Sequence, residues 1–144
     1  MSSKKNKFTK KDKLFMEIAL DLARSREGLT GTNPSVGCII EKNGSVISSG
    51  HTSLNGRPHA EFNSLNKKKD FNGGNLYVTL EPCSHTGLTK PCTQIIKYKK
   101  IKNVFFALVD YDTRSKNKCI KTLKKAKINA KFIKSNYARE FYKS

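Results

Sequence analysis

Three short stretches decide the fold: Pro58-His59-Ala60-Glu61, Glu81-Pro82-Cys83 and Pro91-Cys92. They supply one imidazole and two thiols, from His59, Cys83 and Cys92, which together form a donor set that Zn²⁺ prefers. Three protein ligands leave a tetrahedral metal one position for water, which is typical of a catalytic site, whereas structural sites normally have four. Glu61 lies two residues after His59 and is predicted to carry protons beside that water.

The remaining cysteines and histidines bear on whether such a metal site is structural. They are Cys38, Cys119, His51 and His85. A structural site would need one of them as a fourth ligand, and none shares the spacing of the three stretches. A pair of buried core cysteines without metal is the other alternative. We interpret Cys38 as a small buried side chain and Cys119 as an ordinary helix residue. His51 and His85 flank the motif and are either solvated or in contact with substrate.

Length and composition indicate a small protein with one core. The chain has 144 residues, 36% of them hydrophobic, with dense apolar blocks at 36–40 and 104–109. We predict a basic tail over residues 1–12 and a single domain over 13–144. The tail lacks the apolar segment of a secretory signal, and no stretch approaches the roughly 20 apolar residues of a membrane-spanning helix. Because two of the four cysteines fit a metal pattern rather than a disulfide framework, we expect a cytoplasmic location.

The positive charge admits two interpretations. Lysine and arginine number 29 against 11 acidic residues, a formal net charge of +18. Such a balance suits a protein that binds phosphate or nucleic acid. Nearly all of the positive charge is lysine spread along the whole chain, which favours a solvated surface. An anionic group on a small substrate is compatible with both interpretations.

Apolar runs and turn residues predict alternating helices and strands. Thr9 and Asp12 form a capping box ahead of a first helix that ends near Gly28. Asn43-Gly44 joins two strands as a hairpin, and crossover helices separate the later strands. The predicted strands are 35–41, 45–50, 75–80, 104–109 and 130–133, and the predicted later helices begin at 59, 92, 116 and 137. This order predicts an α/β fold, a three-layer α/β/α sandwich around a mixed five-stranded sheet that is parallel in its later part.

Two helices carry apolar residues that we expect to face the core. In the first helix these residues are Leu14, Phe15, Ile18, Ala19, Leu22 and Ala23. In the helix predicted over 116–127 they are Ile120, Leu123 and Ala126.

The predicted fold also brings the metal-binding residues together. His59 and Cys92 each open a helix, and Cys83 follows the carboxyl end of a strand, where α/β folds place their chemistry. The order H-x-E, followed by cysteines after proline, matches the signature of zinc deaminases, in which the glutamate carries protons and does not bind the metal. That signature has two residues between its cysteines, whereas eight separate Cys83 from Cys92 here.

Longer motifs narrow this resemblance to one family. They are Asn33-Pro34-Ser35-Val36-Gly37-Cys38, Gly50-His51, Pro58-His59-Ala60-Glu61, and the run from Tyr77 to Gly87 with Pro91-Cys92. Together they resemble the deaminase domain of the bifunctional riboflavin-biosynthesis deaminase/reductase, which has a cytidine deaminase-like fold. The resemblance implies zinc-dependent hydrolysis of 2,5-diamino-6-ribosylamino-4(3H)-pyrimidinone 5′-phosphate to 5-amino-6-ribosylamino-2,4(1H,3H)-pyrimidinedione 5′-phosphate and ammonia.

The resemblance also implies roles for individual residues. It makes His59, Cys83 and Cys92 the zinc ligands and Glu61 the proton shuttle. The implied or hypothesised substrate contacts are Asn33, His51, Ala60, Ser84, His85, Thr89, Lys90, Asp110 and Asp112. Among these, Asn33 and His51 match positions that look like base and ribose contacts.

This sequence departs from the family in two segments. A basic residue expected to meet the 5′-phosphate is replaced by Leu88, and we hypothesise that Lys90, with Thr89, binds the phosphate instead. The family's Asp-Pro-Asn-Pro after the fourth strand appears here as Asp-Tyr-Asp-Thr over 110–113, which alters the segment of the predicted contacts Asp110 and Asp112.

The resemblance carries expectations about partners. The family's reductase domain would follow the last helix, so we expect reduction by another polypeptide or by a domain missing from this sequence. Deaminases of this superfamily are usually dimers or tetramers, which implies a homo-oligomer, and we expect no membrane partner. Three alternatives remain: a nucleic-acid deaminase of the tRNA adenosine type, another nucleoside or nucleotide deaminase, and a non-enzymatic basic zinc module that binds RNA. The first is disfavoured because no arginine or aromatic cluster offers a surface for a strand.

Overall fold

A five-stranded sheet runs through the described part of the chain, with helices on both faces. The computed structural model describes residues 9–84, 90–109 and 118–143. The elements in chain order are α1 (Lys10–Ser25), β1 (Gly37–Lys42), β2 (Ser45–His51), a 3₁₀ turn (Leu54–Gly56), α2 (Ala60–Leu65), β3 (Asn75–Val78), α3 (Cys92–Tyr98), β4 (Asn103–Phe106), α4 (Cys119–Lys125), β5 (Asn129–Phe132) and α5 (Asn136–Lys143).

The sheet is mixed, as predicted. Its strand order is β2-β1-β3-β4-β5. Strand β1 is antiparallel to β2 and β3, whereas β3, β4 and β5 are parallel to one another. The turn between β1 and β2 is the predicted Asn43-Gly44, and both residues have positive φ, 53° and 86°. A two-residue hairpin turn matches the twist of its strands with positive φ, which asparagine and glycine adopt readily.

Alternate residues of the central strands pack on opposite faces and separate two cores. On one face, Leu76 and Val78 of β3 pack with side chains from α2, α3 and α4. On the other face, Tyr77 packs with side chains of α1 and α5, and its ring stacks on Phe105 at 4.7 Å between centroids. Because strands buried on both faces need covering layers on both, this arrangement confirms the three-layer sandwich.

The capping box of α1 is present as predicted. Thr9 Oγ1 accepts from the backbone N–H of Asp12, and the Asp12 carboxylate accepts from the backbone N–H of Thr9. The second carboxylate oxygen of Asp12 accepts from the Tyr77 hydroxyl at 2.5 Å, which ties the helix start to the sheet. The helix begins at Lys10, three residues before the predicted domain boundary, and ends at Ser25 rather than near Gly28.

The buried stripe of α1 differs from the predicted one. The core side chains are Phe15, Met16, Ala19, Leu20 and Ala23. Leu14 and Ile18 were expected in the core, but they are 53% and 38% exposed. Apolar residues fill most of positions 14–23, so helical spacing alone fits two rotations of the helix. Contact with the sheet decides between them. The backbone of α1 approaches Gly37 of β1 so closely that a Cβ added to Gly37 would lie 2.0 Å from the Ala19 carbonyl oxygen.

Helix α4 is also shorter than predicted. It buries Cys119 and Leu123, which lie one turn apart. The predicted inward positions Ile120 and Ala126 are wrong. Ile120 is 42% exposed because it lies about 100° around the helix from Cys119, and Ala126 is exposed because it lies past the last helical residue, Lys125.

A close backbone contact between β2 and α2 fixes the distance of α2 from the sheet. A Cβ added to Gly50 would lie 2.5 Å from the backbone nitrogen of Ser64 and 2.6 Å from the carbonyl oxygen of Ala60. Only glycine lets the backbones approach this closely. The first turn of α2 therefore lies directly on the carboxyl end of β2.

Lysine side chains cover the edge of the sheet at β2. Lys67 Nζ donates to the carbonyl oxygen of Ser49 at 2.9 Å, and Lys69 Nζ donates to that of Ile47 at 2.6 Å. The two carbonyls are two residues apart, so they point to the same side of the strand. Edge carbonyls that no strand binds are thus satisfied by charged side chains.

An asparagine ladder joins the starts of the three parallel strands. Asn103 Nδ2 donates to Asn75 Oδ1 at 2.7 Å, and Asn129 Nδ2 donates to Asn103 Oδ1 at 3.4 Å. Asn75 Nδ2 in turn donates to the Glu41 carboxylate at 2.8 Å. These amides lie at the end of the sheet opposite the site described below.

A bilayer-crossing helix would have to be long and apolar, and none of the helices within the described residues meets both conditions.

Candidate metal centre and active site

One histidine and two cysteines meet at the carboxyl end of β3. The ligand atoms of His59, Cys83 and Cys92 lie within 4.8 Å of one another. His59 Nδ1 is 3.5 Å from Cys92 Sγ and 3.9 Å from Cys83 Sγ. The structure therefore brings together the three side chains that the sequence proposed as ligands, and it selects Nδ1 as the imidazole nitrogen that faces the thiols.

These distances fit a single tetrahedral zinc ion. Zinc bonds of about 2.0–2.1 Å to nitrogen and about 2.3 Å to sulfur give tetrahedral edges of roughly 3.5 Å between N and S. The two observed distances from His59 Nδ1 lie at or within about half an ångström of that value. One imidazole and two thiols are also the donor types of catalytic zinc sites. The residues present thus fit zinc in both chemistry and spacing.

Local backbone structure explains how the three residues converge. His59 is the N-cap of α2 and has an extended conformation, with φ −71° and ψ 164°, so its side chain lies beyond the helix end. Cys92 is the first residue of α3, and its backbone N–H donates to Cys83 Sγ at 3.2 Å. Because the first N–H groups of a helix have no partner within the helix, the start of α3 is a suitable neighbour for a thiolate.

The environment makes the two cysteines titrate very differently. The hydrogen bond from the Cys92 thiol, helped by His59 and by the backbone N–H of Cys92, lowers the pKa of Cys83 to about 4, although burial opposes this. The pKa of Cys92 is raised well above its usual value by its hydrogen bond to Cys83 and by burial. The hydrogen bond to Cys83 also raises the pKa of His59. Cys83 is therefore a thiolate at neutral pH even without metal, and a thiolate is the form that binds metal.

Glu61 lies in the first turn of α2 and is only 4% exposed. Burial and, after it, the negative charge of Cys83 raise the pKa of Glu61 to about 7. A carboxyl group with this pKa can both accept and release a proton at neutral pH, which is what a general acid–base group requires. Buried side chains with such perturbed pKa values are concentrated at functional sites.

Two of the predicted substrate contacts have hydrogen bonds within the protein. Asn33 Nδ2 donates to the carbonyl oxygen of Gly56 at 3.0 Å, in the loop that leads to His59. His51 is the last residue of β2 rather than the residue after it, and its Nδ1 lies 3.0 Å from the carbonyl oxygen of Thr52. Both side chains are half-buried.

The other predicted contacts fall into two groups. Ala60 is buried, Ser84 is half-buried beside Cys83, and Lys90 is exposed. A cavity of about 650 Å³ is lined by Lys90 together with Pro58, His59, Phe62, Pro91, Cys92, Gln94, Ile95 and Tyr98. Four predicted contacts lie outside the described residues, namely His85, Thr89, Asp110 and Asp112. Leu88 lies outside them as well.

Several supporting residues were missed by sequence reasoning. Asn63 Nδ2 donates to the carbonyl oxygens of His51 at 2.7 Å and Pro58 at 3.2 Å, so it links the end of β2 to the approach to α2. Thr52 Oγ1 accepts from the backbone N–H of Val36 at 2.9 Å. Asn63 and Thr52 lie one or two residues from predicted site residues, but only the folded contacts reveal what they hold.

The chain is similar to zinc-binding deaminases in both sequence and fold. Residues 9–108 match the family described as the cytidine and deoxycytidylate deaminase zinc-binding region. Over 118 residues the chain is 41% identical to the riboflavin biosynthesis protein RibD of Aquifex aeolicus, which covers 81% of this chain and 33% of that protein. The chain therefore spans about a third of the length of this relative.

A shorter relative matches over most of its own length. The chain is 37% identical over 122 residues to a diaminohydroxyphosphoribosylamino-pyrimidine deaminase of Buchnera aphidicola, covering 84% of this chain and 83% of that protein. Among solved structures, RibD of Acinetobacter baumannii superposes with a TM-score of 0.83 at 33% identity, over 93% of this chain and 38% of that one. The predicted cytidine deaminase-like fold is thereby confirmed.

Proposed function

The chain belongs to the cytidine and deoxycytidylate deaminase zinc-binding family, and on that premise we propose that it is a hydrolytic deaminase of riboflavin biosynthesis. Its proposed substrate is 2,5-diamino-6-ribosylamino-4(3H)-pyrimidinone 5′-phosphate. The oxygen of water replaces an amino group on the pyrimidine ring, the C–N bond breaks, and ammonia leaves. The observation that carries this proposal is the cluster of His59, Cys83 and Cys92 with the buried Glu61 in the first turn of the adjoining helix.

We assign zinc to the cluster, with His59 Nδ1 and the sulfurs of Cys83 and Cys92 as its ligands. When bound, a zinc ion acts as a Lewis acid that makes water acidic enough to supply hydroxide near neutral pH. The hydrogen bond from the backbone of Cys92 to Cys83 Sγ holds one ligand in place before metal arrives. Preorganisation of this kind favours metal binding, because fewer groups must be ordered at that moment.

Glu61 is the proposed proton carrier. Burial raises the pKa of its carboxyl group, and the carboxylate takes a proton as water attacks the ring carbon and returns it to the departing nitrogen. Two proton transfers through one carboxyl group keep the reaction balanced, since the amine leaves as neutral ammonia. Burial of Glu61 also keeps bulk water from competing for that proton.

Recognition of the ribotide is proposed to involve residues around the cluster. Asn33 and His51 are assigned to the base and the ribose, and Lys90 with Thr89 to the 5′-phosphate. The remaining assigned contacts are Ala60, Ser84, His85, Asp110 and Asp112. The position of Lys90 supports its role, because it lines the same cavity as His59 and Cys92.

Partners and location are further parts of the proposal. We propose a homo-oligomer, with the subsequent reduction carried out by a separate polypeptide or by a reductase domain, as the bifunctional names of longer relatives suggest. A cytoplasmic location stays a prediction.

The proposal is tested by measuring ammonia release from the diaminopyrimidine ribotide by the zinc-loaded protein. We expect turnover by the wild type and a fall in kcat of about 10²–10⁴-fold in Glu61→Gln, because general acid–base catalysis contributes about that much. Zinc content is the control and should be the same in both proteins.

Two outcomes would sink the proposal. One is zinc-loaded wild type that releases no ammonia from the ribotide. The other is turnover of adenosine or cytidine in single-stranded RNA with the ribotide left unchanged, which would favour a nucleic-acid deaminase.

A further inference from the structure

Helix α5 contacts the segments before β1 and after β3 through the hydroxyl group of Tyr142. Tyr142, in the last turn of α5, donates its hydroxyl hydrogen to the carbonyl oxygen of Ser35 at 2.6 Å. The same hydroxyl oxygen lies 2.6 Å from Thr79 Oγ1. Tyrosine has a single hydroxyl hydrogen, so Thr79 must be the donor in this second hydrogen bond. Thr79 Oγ1 in turn accepts from the backbone N–H of Gly37 at 3.2 Å.

This chain of hydrogen bonds joins two segments that carry proposed site residues. Ser35 lies two residues after Asn33, and Thr79 lies between β3 and Cys83. The backbone of Thr79 also donates to the carbonyl oxygen of Gly37 at 3.1 Å, so its side chain and backbone both bind the start of β1. Tyr142 bridges these segments from outside the sheet.

The loop before β1 is held at successive carbonyl groups. Thr30 Oγ1 donates to the carbonyl oxygen of Asn33 at 2.6 Å, and Thr52 Oγ1 donates to that of Pro34 at 3.3 Å. Tyr142 supplies the donor for the next carbonyl, that of Ser35, a residue only 7% exposed. Losing a hydrogen bond to a buried carbonyl is costly, so the loop is expected to shift when this hydroxyl is removed.

We propose that Tyr142 is a positioning residue for substrate recognition, which acts by fixing the loop of Asn33 relative to the segment of Cys83. This inference rests on the proposed function, since it concerns the contact assigned to Asn33. Burial raises the pKa of Tyr142 well above its usual value, so the hydroxyl keeps its hydrogen at neutral pH. The zinc ligands are held by other contacts, chiefly the hydrogen bond between Cys92 and Cys83, so Tyr142 affects substrate binding and leaves the metal in place.

The test is Tyr142→Phe, which keeps the ring and removes the hydroxyl. We expect KM for the ribotide to rise about tenfold, as for the loss of one buried hydrogen bond, with kcat within about twofold and zinc content unchanged. Direct binding of the ribotide, measured by calorimetry in a Glu61→Gln background, should weaken by the same factor. Tyr137→Phe is the matched control on the same helix, where the tyrosine is 41% exposed, and it should leave both constants unchanged.

A second pair of variants keeps the inference testable if Tyr142→Phe folds poorly. Thr79→Val removes the donor to Tyr142, and Thr79→Ser restores a hydroxyl. We expect the valine variant to raise KM and the serine variant to return it towards the wild-type value. Unchanged KM and unchanged ribotide binding in Tyr142→Phe or in Thr79→Val would overturn the inference, as would loss of zinc or a fall in kcat without a change in KM. Failure of the proposed function is distinct, because the wild type itself would then release no ammonia.

Discussion

The two ends of the parallel strands contrast in how their polar groups are satisfied. At the amino-terminal end, Asn75, Asn103 and Asn129 bind one another in a ladder of neutral amides. At the carboxyl end, His59, Cys83 and Cys92 crowd together with the buried Glu61, and every one of these four groups has a shifted pKa.

This difference separates a structural end from a chemical one. At the amino-terminal end the amides satisfy one another and the Glu41 carboxylate, so these polar groups already have hydrogen-bond partners within the protein. Ionisable groups buried beside one another are costly until a metal or substrate compensates them. The carboxyl end of the parallel strands is therefore the end whose buried ionisable groups favour a bound cation.

The largest expected effect comes from removing one ligand at the carboxyl end. Cys83→Ser should weaken zinc binding by roughly 10²–10³-fold, about one quarter of the roughly 10–16 kcal/mol that four-ligand structural sites provide. Activity should fall with zinc content, measured by metal analysis after dialysis. Cys38→Ser is the control, since Cys38 is also a free cysteine but lies outside the cluster, although it is more deeply buried than Cys83. Zinc retained in Cys83→Ser would contradict the assignment of the ligand.

The next largest expected effect concerns the free energy of unfolding of the metal-free protein, which Glu61 lowers at neutral pH. Its pKa of about 7 in the folded state, against 4.5 ordinarily, means that the folded state keeps a proton which the unfolded state loses above pH 4.5. The contribution of Glu61 to the free energy of unfolding of the wild type therefore falls as pH rises from about 4.5 to 7. Glutamine does not ionise, so we expect the stability advantage of Glu61→Gln to grow from near zero at pH 4 to about 3 kcal/mol above pH 7.

Urea unfolding with a chelator present, at pH 4 and pH 8, measures this advantage. Glu17→Gln on the exposed side of α1 is the control and should change little at either pH. An advantage of Glu61→Gln that is the same at both pH values would show that its carboxyl group is not perturbed.

Lysines at the two ends of the sheet should differ in how much they contribute to substrate binding. Lys90→Ala is expected to raise KM for the phosphorylated substrate about tenfold or more, because a charge-assisted hydrogen bond is worth about 1.5–3 kcal/mol. Lys102 is also exposed but lies next to Asn103 of the ladder, and Lys102→Ala should leave KM unchanged. Steady-state kinetics at fixed ionic strength make the comparison. Equal effects of the two variants would mean that general positive charge, rather than a phosphate contact, is responsible.

The smallest effect is expected within the ladder itself. Asn103→Ala removes the 2.7 Å hydrogen bond to Asn75 and the longer one from Asn129. We expect a loss of about 1 kcal/mol in the free energy of unfolding, with kcat, KM and zinc content unchanged. Thermal or urea denaturation and the ammonia assay check this. A loss of activity without loss of stability would show that the two ends of the sheet are coupled.

The sequence was sufficient to predict the order of elements and the convergence of the three candidate ligands. Both follow from local rules, since turn residues mark the strand ends and proline precedes His59 and the two cysteines at the element boundaries. The rotation of α1 was not predictable, because its apolar residues are nearly continuous and only contact with Gly37 selects the buried face. The link between Tyr142 and Ser35 spans 107 positions, and no local pattern encodes a hydrogen bond over that distance.

The lysines at the edge of the sheet bear on how copies of this chain could assemble. An edge strand with free carbonyls is a template on which another strand can add, and proteins commonly place lysine there to prevent it. Lys67 and Lys69 already occupy two outward carbonyls of β2, so a strand arriving at this edge would have to displace two ammonium groups. Pairing of this edge with a strand of another subunit, and fibrillar association through it, are therefore disfavoured.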